Sequence, residues 1–254
     1  MLRDGIYNTD CIEGMRLIDD RSVDLIFCDL PYGVTAKNKW DVCIDTSLLW
    51  GQYERIIKPN GAIVLFGRGK FTARMIISKE KLYRYSIIWE KTTPTGFLNA
   101  NKMPLMSHEE MMVFYKRLPT YNPQKTGGHT RKVSTARHKL RSNKSSNYRD
   151  YGLNSYDSTE RFPTSAWTVS TDKQKEALHP TQKPLELCRR VIRTYTNAGD
   201  LVLDNCCGSG TIPKAAVLEG RRYIGMDNGR CERTGRLWAD IAKERIAGAE
   251  ANHE

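Results

Sequence analysis

Leu201-Val202-Leu203-Asp204-Asn205-Cys206-Cys207-Gly208-Ser209-Gly210-Thr211 is the stretch that decides the fold of this chain. Four residues of strand character run into a turn holding two glycines, and helical spacing then extends from Thr211 to Leu218. Arg222-Tyr223-Ile224-Gly225-Met226 follows as a second strand, closed by Asp227. Strand, glycine turn, helix, strand and acid together read as a nucleoside-binding unit. Glycine lets a ligand approach the backbone, the helix N-terminus offers positive charge, and a carboxylate at the next strand end accepts from ribose hydroxyls. The turn is not a G-x-G-x-x-G dinucleotide loop, and without G-K-[ST] it is not a Walker loop. The competing reading is a tight turn beside a surface aspartate.

Alternating strand and helix signals continue outward in both directions. Leu185, Cys188, Val191, Ile192 and Tyr195 share a helical face upstream, and Leu237, Trp238, Ile241 and Ala242 mark a closing helix downstream. Near the N-terminus, Gly5 to Thr9 is a short strand, Met15, Leu17 and Ile18 follow at helical spacing, and Ser22 to Cys28 is a strand. Leu49, Tyr53, Ile56 and Ile57 mark another helix, which Pro59-Asn60-Gly61 stops before the strand Ala62 to Phe66. Tyr85 to Trp89 and Met111 to Tyr115 are further strands. Such alternation predicts an α/β domain, a mostly parallel twisted sheet with helices on both faces. Residues 116–165, rich in Ser, Asn, Thr, Tyr and base, break the pattern. They read as an insert in one domain formed by 1–115 and 166–254.

Composition excludes several classes. At 254 residues and 39% hydrophobic the chain can bury a core, so wholesale disorder is excluded. Ala62 to Phe66 is an apolar run that none exceeds, far short of the roughly 18 residues that span a membrane. No signal peptide is expected from Met1-Leu2-Arg3-Asp4-Gly5. Seven scattered cysteines in a chain of this size point to a reducing cytosol. The net charge of +11 is local: ten Lys and Arg and no acid lie between Lys116 and Arg149, leaving 30 bases against 29 acids elsewhere. One basic segment on a near-neutral body suggests a polyanion bound at one place, against the alternative of a solvated loop.

A second strand end is chemically loaded. Asp29-Leu30-Pro31-Tyr32 follows Val23 to Cys28 and combines a carboxylate acceptor, a fixed proline and an aromatic face. The ring can stack on a planar base while the carboxylate accepts from its exocyclic amine. Taken alone, a Pro-Tyr turn with an Asp is commoner; its pairing with the glycine turn gives it weight. Cys206-Cys207 is too tight for a zinc pair and nothing is spaced to complete one, so no metal is expected.

With these pieces in order, the chain resembles the β-class, S-adenosylmethionine-dependent DNA amino-methyltransferases of bacteria and phages. Asp29-Leu30-Pro31-Tyr32 precedes the turn Asp204 to Thr211, the permuted order of that family, and His179-Pro180-Thr181-Gln182-Lys183-Pro184 matches its HPTQKP segment. Ser107 to Lys116 is similar to the strand before its target-recognition region. There are two departures. Leu30 stands where DPPY has proline, with its backbone carbonyl kept, and Cys206 replaces a phenylalanine of the cofactor pocket.

The resemblance implies a Rossmann-like methyltransferase fold and a flipped-out target base. Tyr32 would stack on that base, and Asp29 with the Leu30 carbonyl would accept from its amine, Pro31 completing the motif. The cofactor would lie across Asp204, Asn205, Cys206, Gly208, Ser209, Gly210 and Thr211. Asp227 would hold its ribose, Asp10 and Cys11 would bracket its adenine, and Thr181 with Lys183 would face its carboxylate. His179 lies in the cofactor-proximal segment and, with His108, reads as a structural hydrogen-bonding residue rather than a base. An acid leading the catalytic motif favours adenine N6, with cytosine N4 the alternative.

The basic insert becomes the target-recognition region for double-stranded DNA, with Lys125, Arg131, Lys132, Arg137, Lys139, Arg141, Lys144 and Arg149 on phosphates. A homodimer and a cognate restriction endonuclease are the further partners, and the cytoplasm is the expected compartment. Rival readings fit less well. A nicotinamide-dependent dehydrogenase needs a third glycine, and a non-catalytic binding module needs damage at Asp29 or Tyr32. An RNA amino-methyltransferase would show itself in a competition between duplex DNA and structured RNA. If the insert neutralises phosphates, DNA affinity will fall steeply as salt rises through the physiological range; affinity unchanged by salt contradicts that role.

Overall fold

The computed structural model describes residues 2–33, 42–135, 155–171 and 182–250. The chain divides into two compact units, Met1–Asn122 with Ser165–Glu254, and Pro123–Thr164. The strands are β1 (Gly5–Tyr7), β2 (Val23–Cys28), β3 (Ile57–Gly67), β4 (Tyr83–Thr95), β5 (Met106–Phe114), β6 (Lys132–Ser134), β7 (Tyr156–Ser158), β8 (Ala166–Val169), β9 (Leu201–Asp204) and β10 (Arg222–Met226). The helices are α1 (Cys11–Arg16), α2 (Thr46–Ile56), α3 (Lys70–Ser78), α4 (Leu185–Tyr195), α5 (Thr211–Leu218) and α6 (Trp238–Glu250).

In the first unit eight strands form one sheet in the order β1-β10-β9-β2-β3-β5-β4-β8. Every neighbouring pair is parallel except those of β5, which runs against both β3 and β4. Central parallel strands are buried on both faces and so read as unbroken apolar runs; Leu25, Ile26, Phe27 and Cys28 of β2 are all fully buried. Their side chains alternate between two cores. Ile26 and Cys28 meet Met15, Leu49, Tyr53 and Ile56 of α1 and α2. Leu25 and Phe27 meet Leu187, Val191 and Ile192 of α4 and Ile212 and Ala215 of α5. The sheet is thus the filling between two helical layers, the architecture that the alternation predicted.

Several boundaries differ from the sequence reading: β4 and β5 run well beyond the Tyr85–Trp89 and Met111–Tyr115 stretches, and the start of β3 moves past a turn signal. The strand expected from Ala62 begins at Ile57, ahead of Pro59-Asn60-Gly61. Val23 pairs with Ile57 and Leu25 with Ala62, so residues 58–61 bulge opposite Asp24. Lys58 Nζ reaches the Asp24 carboxylate at 2.7 Å, and a Cβ on Gly61 would stand 2.8 Å from the Asp24 carbonyl oxygen. A bulge tolerates proline and rewards glycine. The turn signal was real but lies inside the strand.

The second unit contains the antiparallel pair β6 and β7. Arg131 and Asp157 lie across it, with Arg131 Nε 2.7 Å from Asp157 Oδ1. Residues 116–122 belong to the first unit, where the Asn122 side chain donates to the Thr196 carbonyl at 3.0 Å. Among the described residues no helix is long and apolar enough to cross a membrane.

One side-chain bond spans the first unit. Tyr53 of α2 is fully buried, and its O–H donates to Asn205 Oδ1, just past β9, at 2.6 Å. Tyr53→Phe keeps the ring and strands that acceptor, so we expect it to lower unfolding free energy by about 1–3 kcal/mol. Urea unfolding measures this; an unchanged midpoint contradicts the role.

Candidate active site

The parallel pairing of β2 with β9, Leu25 beside Val202 and Ile26 beside Leu203, sends both strands out at the same sheet edge. Asp29 to Tyr32 and Asp204 to Gly210 therefore emerge side by side, with Asp227 after β10 next to them. Ligands of open α/β sheets sit at this carboxyl edge.

The glycine turn is held from behind. Gly208 and Gly210 adopt φ of +47° and +78°, conformations that suit glycine. At Gly210 the packing also requires it, because a Cβ would lie 2.7 Å from that of Ala242 on α6. The Asp227 carboxylate braces the turn: Oδ2 accepts from Gly208 N–H at 2.9 Å and Oδ1 from Gly229 N–H at 2.8 Å. Arg245 on α6 donates to the Ser209 carbonyl at 2.6 Å and to Ser209 Oγ at 3.0 Å, with Thr211 Oγ1 3.4 Å away. Asp204 is buried and accepts Cys206 N–H at 3.2 Å. Burial pushes its carboxyl up to about 8, against the opposing effects of that N–H and the Cys28 thiol.

At the near end of the same edge, Asp10 caps α1, accepting from Ile12 N–H at 2.8 Å and Glu13 N–H at 3.1 Å. Cys206 packs against the cluster that holds Cys11, and that thiol together with burial raises the Cys11 thiol. The small Cys206 side chain, partly exposed, is accommodated by packing on this sulfur-rich wall. Asn205 is occupied by Tyr53 and by the Cys206 sulfur at 3.7 Å.

The other half of the site is a line of buried and partly buried charges. Asp29 Oδ1 accepts the Tyr32 O–H at 2.7 Å, and Asp29 Oδ2 lies 3.0 Å from Lys183 Nζ. Lys183 also contacts Glu109 Oε2 at 2.7 Å, and Glu109 Oε1 takes Lys91 Nζ at 2.5 Å. Burial pushes Asp29 above the ordinary carboxylate range, opposed by Lys183. For Glu109 the same burial is outweighed by Lys183 and Lys91, which leave it below that range. Burial disfavours the Lys183 cation, yet Asp29 and Glu109 hold it above its ordinary value. The ammonium sits 4.7 Å from the centre of the Phe66 ring. Tyr32 packs on Phe71, ring centres 4.5 Å apart. A cavity of about 310 Å³ opens beside Leu30 and Pro31, walled by Ile44, Leu49, Phe71 and Met75, with Arg74 and Asp45 also lining it.

Of the residues singled out from sequence, the fold brings Asp29, Tyr32 and Lys183 into one cluster, and Asp204, Cys206, Cys11, Gly208 and Asp227 along the adjoining edge. Lys183, expected at a cofactor carboxylate, makes its ion pairs with Asp29 and Glu109. His179, Thr181, Arg137, Lys139, Arg141, Lys144 and Arg149 lie outside the described residues. In the second unit, Lys125 is 3.1 Å from Glu160 and Arg131 is paired with Asp157, while Lys132 is exposed on β6. Glu109, Lys91 and Arg245 were missed. Glu109 left a trace: strand alternation sets it on the buried face with Met111 and Val113, where a carboxylate needs a cation. Among the described residues no group of three or more His, Cys, Asp and Glu is arranged to hold a metal.

The model of the N6/N4 methyltransferase family, described as DNA methylase, matches residues 23–232. Type II methyltransferase M2.MboI of Moraxella bovis is 28% identical over 249 residues, covering 87% of this chain and 82% of its own. Type II methyltransferase M.HinfI of Haemophilus influenzae is 27% identical over 286 residues, covering 97% and 69%. Among solved structures, the M1.HpyAVI–SAM complex superposes with a TM-score of 0.63 at 22% identity, over 95% of this chain and 98% of that one. The cytosine-N4-specific PvuII DNA methyltransferase gives 0.64 at 16% identity, over 99% and 93%; these two likenesses speak to the fold. The chain belongs to the N6/N4 family of DNA methylases.

Proposed function

We propose that this chain methylates the N6 amine of adenine in double-stranded DNA, using S-adenosylmethionine. The observation that carries the reading is the placement of Asp29 and Tyr32 beside the Gly208–Gly210 turn at the ends of two adjacent strands. Family membership supports the reaction class, and the acidic residue leading the catalytic motif supports adenine.

The residues along this edge fit the cofactor. Gly208 leaves open space where a Cβ would stand, and the carboxylates of Asp10 and Asp227 offer acceptors for hydroxyls and amines, with Asp204 buried behind the turn. Asp227 would hold the ribose, the Gly208-Ser209-Gly210 backbone would lie under the ligand, and Asp10 with Cys11 would flank its adenine. His179 and Thr181 belong to the segment assigned to its methionine end, while Lys183 serves Asp29. When bound, S-adenosylmethionine supplies a methyl group on a positively charged sulfur.

Tyr32 offers an aromatic face to a base taken out of the helix, and stacking holds any base without regard to sequence. Asp29 and the Leu30 carbonyl accept the N–H groups of its amine, which draws the nitrogen lone pair out of conjugation and toward the methyl group. As positive charge grows on that nitrogen, the Asp29 carboxylate stabilises it from a fixed position. Pro31 stiffens the backbone between the two acceptors. The basic insert, read from sequence as 116–165 and clustering as the unit Pro123–Thr164, serves as the target-recognition region, and residues elsewhere on the sheet edge need only hold reactants in line. A second copy of the chain and a restriction endonuclease of matching specificity complete the proposed partners.

Transfer of radiolabelled methyl from S-adenosylmethionine to duplex genomic DNA tests the reading. Asp29→Ala is expected to lower transfer roughly 10²-fold or more, the scale of losing one preorganised electrostatic partner, while calorimetry still detects cofactor binding. A variant that methylates at the wild-type rate overturns the role of Asp29.

A further inference from the structure

We infer that Glu109, with Lys91 behind it, is a positioning residue for methyl transfer: it holds Lys183 against Asp29 and so sets the orientation and charge of the acceptor. The inference rests on reading Asp29 as the group that receives the substrate amine.

Geometry carries it. Lys91, Glu109, Lys183 and Asp29 form an unbroken line of alternating charge, with successive contacts of 2.5, 2.7 and 3.0 Å. Lys91, Glu109 and Lys183 side chains are only 7%, 12% and 9% exposed. Asp29, at the open end of the line, is 26% exposed. Enclosing the other three charges is tolerable only when each is paired, and with Asp29 the two anions and two cations sum to zero. Glu109 spends one oxygen on each lysine. Its contact with the reaction centre runs through Lys183, whose ammonium meets Asp29 at Oδ2. Tyr32 meets the other oxygen at Oδ1, so the carboxylate is gripped from two sides and its plane is fixed. The contacts join elements far apart in sequence: Lys91 on β4, Glu109 on β5, Lys183 before α4 and Asp29 after β2.

Charge decides the directions. Asp29 faces Tyr32 on its own loop, Lys183 ahead of α4, Glu109 on β5, Cys28 at the end of β2 and Asp204 at the end of β9. Lys183 favours the ionised carboxylate, and Glu109 opposes it. Lys183→Met therefore makes Asp29 harder to ionise, whereas Glu109→Gln keeps an oxygen for Lys183, removes the repulsion and makes it easier. Opposite movements of the Asp29 titration alone follow from charge in any such cluster; a kcat limb that moves with them ties the cluster to the reaction.

Two readouts test this. In the unliganded protein, carbon-13 NMR of labelled aspartate, with Asp29→Asn giving the assignment, follows ionisation of the Asp29 carboxyl. In the complete reaction, the acidic limb of kcat against pH follows its working form. We expect both to move up by about one pH unit or more in Lys183→Met and down in Glu109→Gln, the usual scale for a charge within a few ångströms. Lys183→Arg should restore the wild-type position, and KM for S-adenosylmethionine should change little. Should Lys183→Met fail to fold, Glu109→Gln, nearly identical in shape, carries the test with the same two readouts. An Asp29 titration that does not move in Glu109→Gln overturns the inference. So does a moved titration with an unmoved kcat limb, or a Lys183→Met variant whose only change is a raised cofactor KM. A wild-type protein that transfers no methyl group to any DNA brings down the proposed function and this inference together.

Discussion

One buried ammonium between two partly buried carboxylates organises one edge of this molecule. Lys183 is within 3.0 Å of Asp29 and 2.7 Å of Glu109, and these three residues arrive from a loop, a strand and a segment ahead of a helix, separated by more than seventy positions in sequence. Each ion alone would be costly to bury, so each depends on the others being in place. That mutual dependence fixes where the loop after β2 lies over the sheet. The Phe66 ring beneath the ammonium adds an attractive face to a cation that little water reaches.

The sheet makes this arrangement possible. Parallel pairing of β2 and β9 puts the Asp29–Tyr32 loop and the glycine turn at the same edge, and β2 packs into a core on either side. The turn is fastened independently: Asp227 holds Gly208 from β10, Arg245 holds Ser209 from α6, and Tyr53 holds Asn205 from α2. Each of the three helical or strand supports comes from a different element. The side chains of Asn205, Ser209 and Asp10 are engaged mainly in shaping the backbone, which leaves main-chain groups and the outer lone pairs of Asp227 to meet a ligand. Cys206, in the position of a larger aromatic residue in the family pattern, is matched by Cys11 and Cys28 packed around it.

Much of this was legible in the amino-acid order because the relevant features are local. β9 and β10 have the boundaries read from their apolar runs, since a central parallel strand is hydrophobic on both faces. Asp29-Leu30-Pro31-Tyr32 and the glycine turn declared themselves by residue type within a few positions. What stayed hidden acts across elements. Glu109 and Lys91 matter through partners on other strands, and Arg245 through a turn more than thirty residues earlier, relations that spacing does not encode. The early start of β3 was obscured by Pro59 and Gly61, turn residues that serve a bulge. Lys183 was noticed for its segment, but its direction, toward Asp29, follows only from three-dimensional packing. The basic run announced polyanion chemistry by charge alone, whereas Lys125 and Arg131 also found acids, Glu160 and Asp157, within their own unit.

Nucleoside mass spectrometry of duplex DNA incubated with the protein and S-adenosylmethionine reads the reaction and the base in one experiment. N6-methyldeoxyadenosine, absent when Asp29 is replaced by alanine, is the expected product. N4-methyldeoxycytidine in its place, or genomic DNA that gains no methylated base, contradicts an acceptor built on Asp29 for adenine.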